Sequence, residues 1–168
     1  MIAGLEPSEY LVADTGFFKS LRRITELQMA YRRDLAKSAR RHLAAAKCLY
    51  ACADPSASSG MKAVAGYLFG LAGELALKQI MTESGMRELS SSERREDPMY
   101  AHFPTLKTLL GNMAQGRRQG ELLKYAKDPQ LFDGWNTDMR YAPTADIPEA
   151  RTAAWKLQAE KLVQEMGY

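Results

Sequence analysis

This 168-residue chain is short of the residues from which metal and thiol chemistry is built, holding two cysteines, Cys48 and Cys52, and two histidines, His42 and His102. A tetrahedral zinc site needs four ligands, and no His-Glu-x-x-His pattern or paired-carboxylate motif makes up the shortfall. No metal and no cofactor are therefore expected. Cys48 and Cys52, four residues apart, are expected to be small buried hydrophobes on one helix face of a reduced, cytoplasmic protein. No alternating apolar run marks a β-strand, so the strand-to-helix turn of a P-loop or dinucleotide-binding fold has nowhere to form. Long apolar runs are also missing. The most apolar stretch, Met61 to Met81, carries Lys62, Glu74, Lys78 and three glycines, short of the roughly 20 predominantly apolar residues of a membrane span. No basic start with an apolar block and small-residue cleavage site opens the chain, which again points to the cytoplasm.

What is present is an ordinary globular composition, 46% hydrophobic and 26% charged. A chain of this length buries about 70% of its unfolded surface, enough for one core without a staple. The net charge of +3 is too mild to establish a nucleic-acid partner by itself. Residues 1–16, with Gly4, Pro7 and Gly16, read as an N-terminal arm, and 17–168 as a single helical domain. Apolar residues step by three and four from Phe17 through Leu21, Ile24, Leu27, Tyr31 and Leu35 to Leu43 and Tyr50. This spacing predicts a long helix, bent or broken near Lys37 and Ser38.

Asp54-Pro55-Ser56-Ala57-Ser58-Ser59-Gly60 is a loop signal. After it comes a helix apolar nearly all round, with a stripe of Val64, Leu68, Leu71 and Leu75, which must be central to the fold. Gly66, Gly70 and Gly73 line one side of it, and each costs about 1 kcal/mol relative to alanine, so another helix is expected to approach closely there. Residues 84–100 read as a solvated charged loop. Shorter helical spacing follows from His102 to Met113 and around Leu122 to Ala126, then an aromatic aperiodic connection from Phe132 to Pro143. A last helix is expected from Pro148, with Ala150, Ala154, Leu157 and Leu162 inward. The fold class is all-α, a four- to five-helix bundle with a long antiparallel hairpin.

Glu74 and Lys78 are the charges inside the apolar second helix, spaced to pair along one face. They are either an ion pair whose heads reach solvent or the polar part of an inter-helix site. His102 follows Arg94-Arg95-Glu96-Asp97-Pro98. An arginine to hold a phosphate and an imidazole to move a proton are the minimum for metal-free RNA cleavage, and a capping or core histidine is the alternative. Basic residues recur as pairs at Arg22-Arg23, Arg32-Arg33 and Arg40-Arg41, and Arg117-Arg118 cluster with Lys124 and Lys127. Tyr100, Tyr125 and Tyr141 are candidate stacking partners for bases.

Three motifs together resemble one family. Ala65-Gly66-Tyr67-Leu68-Phe69-Gly70-Leu71-Ala72-Gly73-Glu74-Leu75-Ala76-Leu77-Lys78 resembles the central helix of the HEPN superfamily, where small residues lead to Glu-x-x-Leu-Lys. His102-Phe103-Pro104-Thr105-Leu106 resembles that family's third-helix start, with two extra residues between His and Leu, and Trp135 with Arg140-Tyr141 resembles its signature before the last helix. The resemblance covers roughly residues 39–167. It implies a compact bundle, homodimerisation through helix faces, and RNA cleavage, nucleotide binding or a place in a toxin–antitoxin or defence system, often beside a nucleotidyltransferase. The family's ribonucleases carry Arg-x(4–6)-His, usually further downstream, and Arg95 and His102 meet that spacing here. The expected site is thus Arg95 and His102 as catalytic residues of a metal-independent endoribonuclease, with Glu74, Lys78, Arg140, Tyr141, Arg117 and Arg118 binding RNA or a nucleotide. The alternative is a non-enzymatic interaction or structural module.

Overall fold

The carboxylate of Asp34 accepts the backbone N–H of Lys37 at 2.9 Å and so caps helix α1, Leu35–Tyr50. In this computed structural model the described residues are 31–167, apart from the side chains of Arg117 and Arg118. Residues from Asp34 onward form one compact unit, described below. The arm and the helical spacing of residues 17–30, with Arg22 and Arg23, lie outside the described residues. Residues 31–34 are not helical, so a single helix does not run through to Tyr50; the chain is interrupted where Asp34 caps, ahead of the expected break at Lys37.

Helix α2, Ser58–Glu83, is the centre of the fold. Helix α6, Glu149–Glu165, runs parallel to it: Lys62 bonds Glu149 near one end, and the Gly167 amide bonds Glu83 at the other. Helix α1 is antiparallel to both, with Lys47 paired to Glu160 at 2.9 Å and Arg40 donating to the carbonyl of Gly167. The remaining side of α2 is covered by the long connection. This holds a 3-10 turn at Ser91–Glu93, helices α3 (Thr105–Met113), α4 (Gly116–Gly120) and α5 (Leu123–Lys127), and 3-10 turns at Thr137–Tyr141 and Thr144–Asp146. The Lys107 ammonium donates to the carbonyls of Asp128 and Leu131, and the Tyr125 hydroxyl donates to Glu165. Among the described residues there is no strand, and the architecture is an all-α bundle.

Around its buried Phe69, Leu77 and Met81, the inward face of α2 is made of small residues that admit large side chains from its neighbours. Ala63, Ala65, Gly66, Gly70, Ala72, Gly73 and Ala76 are buried, whereas Val64 is 51% exposed and Leu68, Leu71 and Leu75 are half-buried. The expected leucine stripe is therefore the outer flank. Gly66 does meet a helix, at Thr152 and Trp155 of α6. Gly70 and Gly73 instead admit the rings of Trp135 and Phe132 from the connection. Phe103 stacks on Phe132 at 4.9 Å and meets Trp135 edge-on at 6.1 Å, while Tyr67 stacks on Trp135 at 5.9 Å. Burying Phe132 and Phe103 stabilises the fold by up to about 3 kcal/mol each.

Three more expectations change. Residues 84–100 are tied down: Met86, Asp97, Pro98 and Met99 are buried, because Asp97 accepts the backbone amides of Leu89 and Met99, both at 2.8 Å. In α6 the buried face is Thr152, Trp155, Ala159 and Leu162; Ala150 and Ala154 are exposed and Leu157 is 66% exposed, since the face is set by Trp155. Cys48 is exposed, because the buried face of α1 is Ala39, Leu43 and Ala46 and Cys48 lies on the opposite side, and Cys52 is half-buried beyond the end of the helix at Tyr50.

Candidate functional site

Glu74 points from α2 towards the segment that enters α3. Its side chain is 4% exposed and that of Lys78, one turn later, 7%, with Lys78 Nζ donating to Glu74 Oε1 at 2.7 Å. The spacing alone allows the pair. Both side chains are buried, in the stretch of α2 where Gly73 receives the Phe132 ring and Phe132 stacks on Phe103.

A second group completes the carboxylate. His102 Nδ1 lies 3.0 Å from Glu74 Oε1 and 2.9 Å from Oε2, although 28 residues separate them. The imidazole is fixed from both sides in sequence. Upstream, Asp97 pins the turn to Leu89 and Met99; downstream, the ring of Phe103 is buried and the His102 carbonyl accepts the Leu106 amide in the first turn of α3. A carboxylate facing Nδ1 places the hydrogen on that nitrogen, an assignment from the partner's chemistry. Nε2 is then the nitrogen left to accept or give up a proton, and the side chain is 54% exposed.

The arrangement is a buried carboxylate holding a half-exposed imidazole, with an ammonium offsetting the carboxylate's charge. Chemically it can orient His102 while Nε2 takes a proton from, or returns one to, a group arriving from solvent. Glu74 and Lys78 are shielded by it and do not themselves face a ligand.

Among the described residues, the other expected residues make no hydrogen bond or ion pair with Glu74 or His102. Arg95 is exposed and makes no ion pair among the described residues. Arg94 is the seated member of that pair, its guanidinium carbon 4.0 Å from the ring centre of Tyr100, whose hydroxyl donates to Glu88. Arg140 is exposed and lies over Tyr141, itself 75% exposed, at 4.7 Å; neither touches Glu74 or His102. The side chains of Arg117 and Arg118 lie outside the described residues. Tyr125 is buried with its hydroxyl on Glu165, so it offers no face for stacking, and Lys124 is drawn to Glu165 and Tyr125. Burial and the Glu165 bond together raise the Tyr125 phenol well above its ordinary value.

Two features escaped sequence reasoning. Asp97 is the carboxylate that builds the turn before His102; its signal was an Asp before Pro, a turn former whose side chain bonds nearby backbone. Arg94 on Tyr100 had none, because stacking six residues apart in a loop follows no period. Among the described residues no group of three or more His, Cys, Asp or Glu is disposed to hold a metal ion, and no helix is long and apolar enough to cross a membrane. No family model, curated protein or solved structure matches the chain.

Proposed function

We propose that this chain is an RNA- or nucleotide-binding helical module of HEPN-like type in which His102 handles a proton at a bound phosphodiester. The observation that carries this reading is the geometry of His102: half-exposed, with Nδ1 on both oxygens of a buried Glu74. A histidine serving only to cap or fill the core would not leave its second nitrogen on the open side. Arg87, Arg94 and Arg95 are exposed on the segment that leads to His102, interleaved with exposed Glu88, Glu93 and Glu96, so the segment offers guanidinium donors for a phosphate without a net positive charge. In cleavage, Nε2 takes the proton of a ribose 2′-hydroxyl as its oxygen bonds to phosphorus, the P–O5′ bond breaks, and the 5′-oxygen leaves as a hydroxyl with a proton from water, giving a 2′,3′-cyclic phosphate and an imidazolium that returns its proton to solvent. Arg95 supplies the positive charge for the phosphate oxygens.

The test is an RNA oligomer incubated with the protein in chelator-containing buffer, with binding followed by fluorescence anisotropy and products by gel. His102→Gln should keep binding and lose cleavage by about 100-fold or more, the usual contribution of a general acid–base group. Absence of RNA and nucleotide binding, or cleavage indifferent to His102→Gln, overturns the reading.

A non-enzymatic interaction module is the second reading, favoured by apolar side chains left in solvent: Leu157 at 66%, Val64 at 51% and Met61 at 37% exposure. It entails a homodimer or a bound protein partner, such as a nucleotidyltransferase, and light scattering that reports only 18.8 kDa particles removes the homodimer.

A further inference from the structure

A cavity of about 260 Å³ opens between the 3-10 turns of the connection and the first turn of α6, away from the Glu74–His102 cluster. Its apolar lining is Trp155, Met139 and Ile147. Its polar lining is of both signs: the guanidinium of Arg151, the carboxylates of Asp138 and Asp146, and Asn136. Gly134 has φ +69°, which favours glycine, and the tip of Arg151 lies over it, where a Cβ would stand 1.6 Å from Nη1 and push the flexible guanidinium aside. Asp133 steadies it at 3.9 Å. Asn136 gives its oxygen to the Asp138 amide at 2.8 Å, which leaves its NH2 group as a donor.

We propose that this cavity is a binding pocket for a guanine base. Its volume falls below the roughly 300 Å³ at which pockets begin to take drug-sized ligands, which suits one planar base with its sugar and phosphate outside. Guanine offers acceptors O6 and N7 on one edge, the pair that an arginine meets bidentately. On its other edge N1–H and the exocyclic amine are adjacent donors, which a carboxylate accepts. Adenine turns a bare N1 to the same carboxylate, and cytosine a bare N3, so both are repelled. A phosphate is excluded by two carboxylates, and a simple amine leaves Arg151 without an acceptor. Trp135, flanked by the lining residues Gly134 and Asn136, packs edge-on against Phe103, the residue after His102. The inference rests on the proposed nucleotide- or RNA-binding function and names the base that it selects.

The experiment is an NMR titration of the whole protein, watching the Trp155 indole N–H, which donates to the Asp133 carbonyl at 3.0 Å, and the His102 ring. Guanosine 5′-monophosphate should shift the Trp155 signal and bind about tenfold or more tighter than adenosine 5′-monophosphate, the discrimination of one good bidentate pair. Asp138→Asn/Asp146→Asn, both at exposed positions, should erase that preference without lowering Tm. An oligomer containing one guanosine should outbind its guanosine-free counterpart if the base is read within RNA; equal oligomers with tight monophosphate binding assign the pocket to a free nucleotide. Equal binding of the two monophosphates, no Trp155 shift at millimolar concentration, or the same shift with putrescine overturns the pocket. RNA bound at His102 with Trp155 undisturbed removes the pocket and leaves the function. Guanosine 5′-monophosphate seated at Trp155 with no RNA bound and the His102 ring undisturbed keeps the pocket and nucleotide binding, and removes the phosphodiester chemistry at His102.

Discussion

The Trp135 ring occupies the place that a side chain at Gly70 would take: a Cβ built there falls 2.0 Å from Trp135 Cε2 and Nε1. The indole N–H also donates to the Tyr67 carbonyl at 3.3 Å, so the ring cannot simply slide away. Gly70→Ala is therefore expected to destabilise the fold by about 3 kcal/mol, at the upper end of overpacking. Gly60, in the same helix with nothing within 4 Å of its built Cβ, is the control; Gly60→Ala should stabilise by about 0.5–1 kcal/mol through the unfolded chain. Urea melts of the two variants check both signs.

Why Gly70 reads as a helix contact in sequence and as a ring contact in space is a matter of range. Periodicity within α2 shows which side must admit a close neighbour, and it also marks Glu74 and Lys78 as charges that need an answer. It cannot show that the neighbour is Trp135, 65 positions on, in a segment with no period. The same limit hides the Glu74–His102 contact, which depends on the turn that Asp97 builds. In α6, apolar count suggested a face through Leu157, but Trp155 buries more area than any alternative, and burying it turns Leu157 to solvent. The helical class was readable because 3.6-residue spacing is local; the choice of face was not, because it is settled by partners.

The Tyr125 phenol adds a pH dependence on the alkaline side. Burial, and then the bond to Glu165, raise it above its unfolded value near 10, so the folded state favours the neutral form. Its contribution is fully present below pH 10 and is lost as pH rises beyond that. Stability should fall by up to about 1.4 kcal/mol per pH unit from this group, and Tyr125→Phe should flatten the slope. Tyr141→Phe, at a site 75% exposed, should leave it unchanged. Thermal melts between pH 8 and 11 make the comparison.

Asp97 is 1% exposed and both its oxygens hold backbone amides. Asp97→Ala should cost about 2–3 kcal/mol, because two charge-assisted bonds go and a buried amide is left without a partner. The loss should be local as well as global. Hydrogen exchange at the Leu89 and Met99 amides should speed up before exchange in α2 does, and unchanged protection at those two amides would remove Asp97 as the organiser of the turn before His102.

Glu74 separates structure from chemistry most sharply, because its two partners differ in burial. Lys78 is 7% exposed and its ammonium donates to Glu74, whereas His102 is 54% exposed and can return to water. Glu74→Gln strands the Lys78 ammonium, and the expected loss is about 3 kcal/mol or more. Removing the pair together should cost less than removing Glu74 alone: Glu74→Leu/Lys78→Met buries no unpaired charge, and His102 loses only an orienting bond. If the double variant is the more stable of the two and yet handles RNA no better than His102→Gln, then the carboxylate serves the imidazole and the ammonium serves the carboxylate. A double variant with full RNA cleavage would instead show that His102 needs no orienting partner, and the Glu74–Lys78 pair would be a packing device alone.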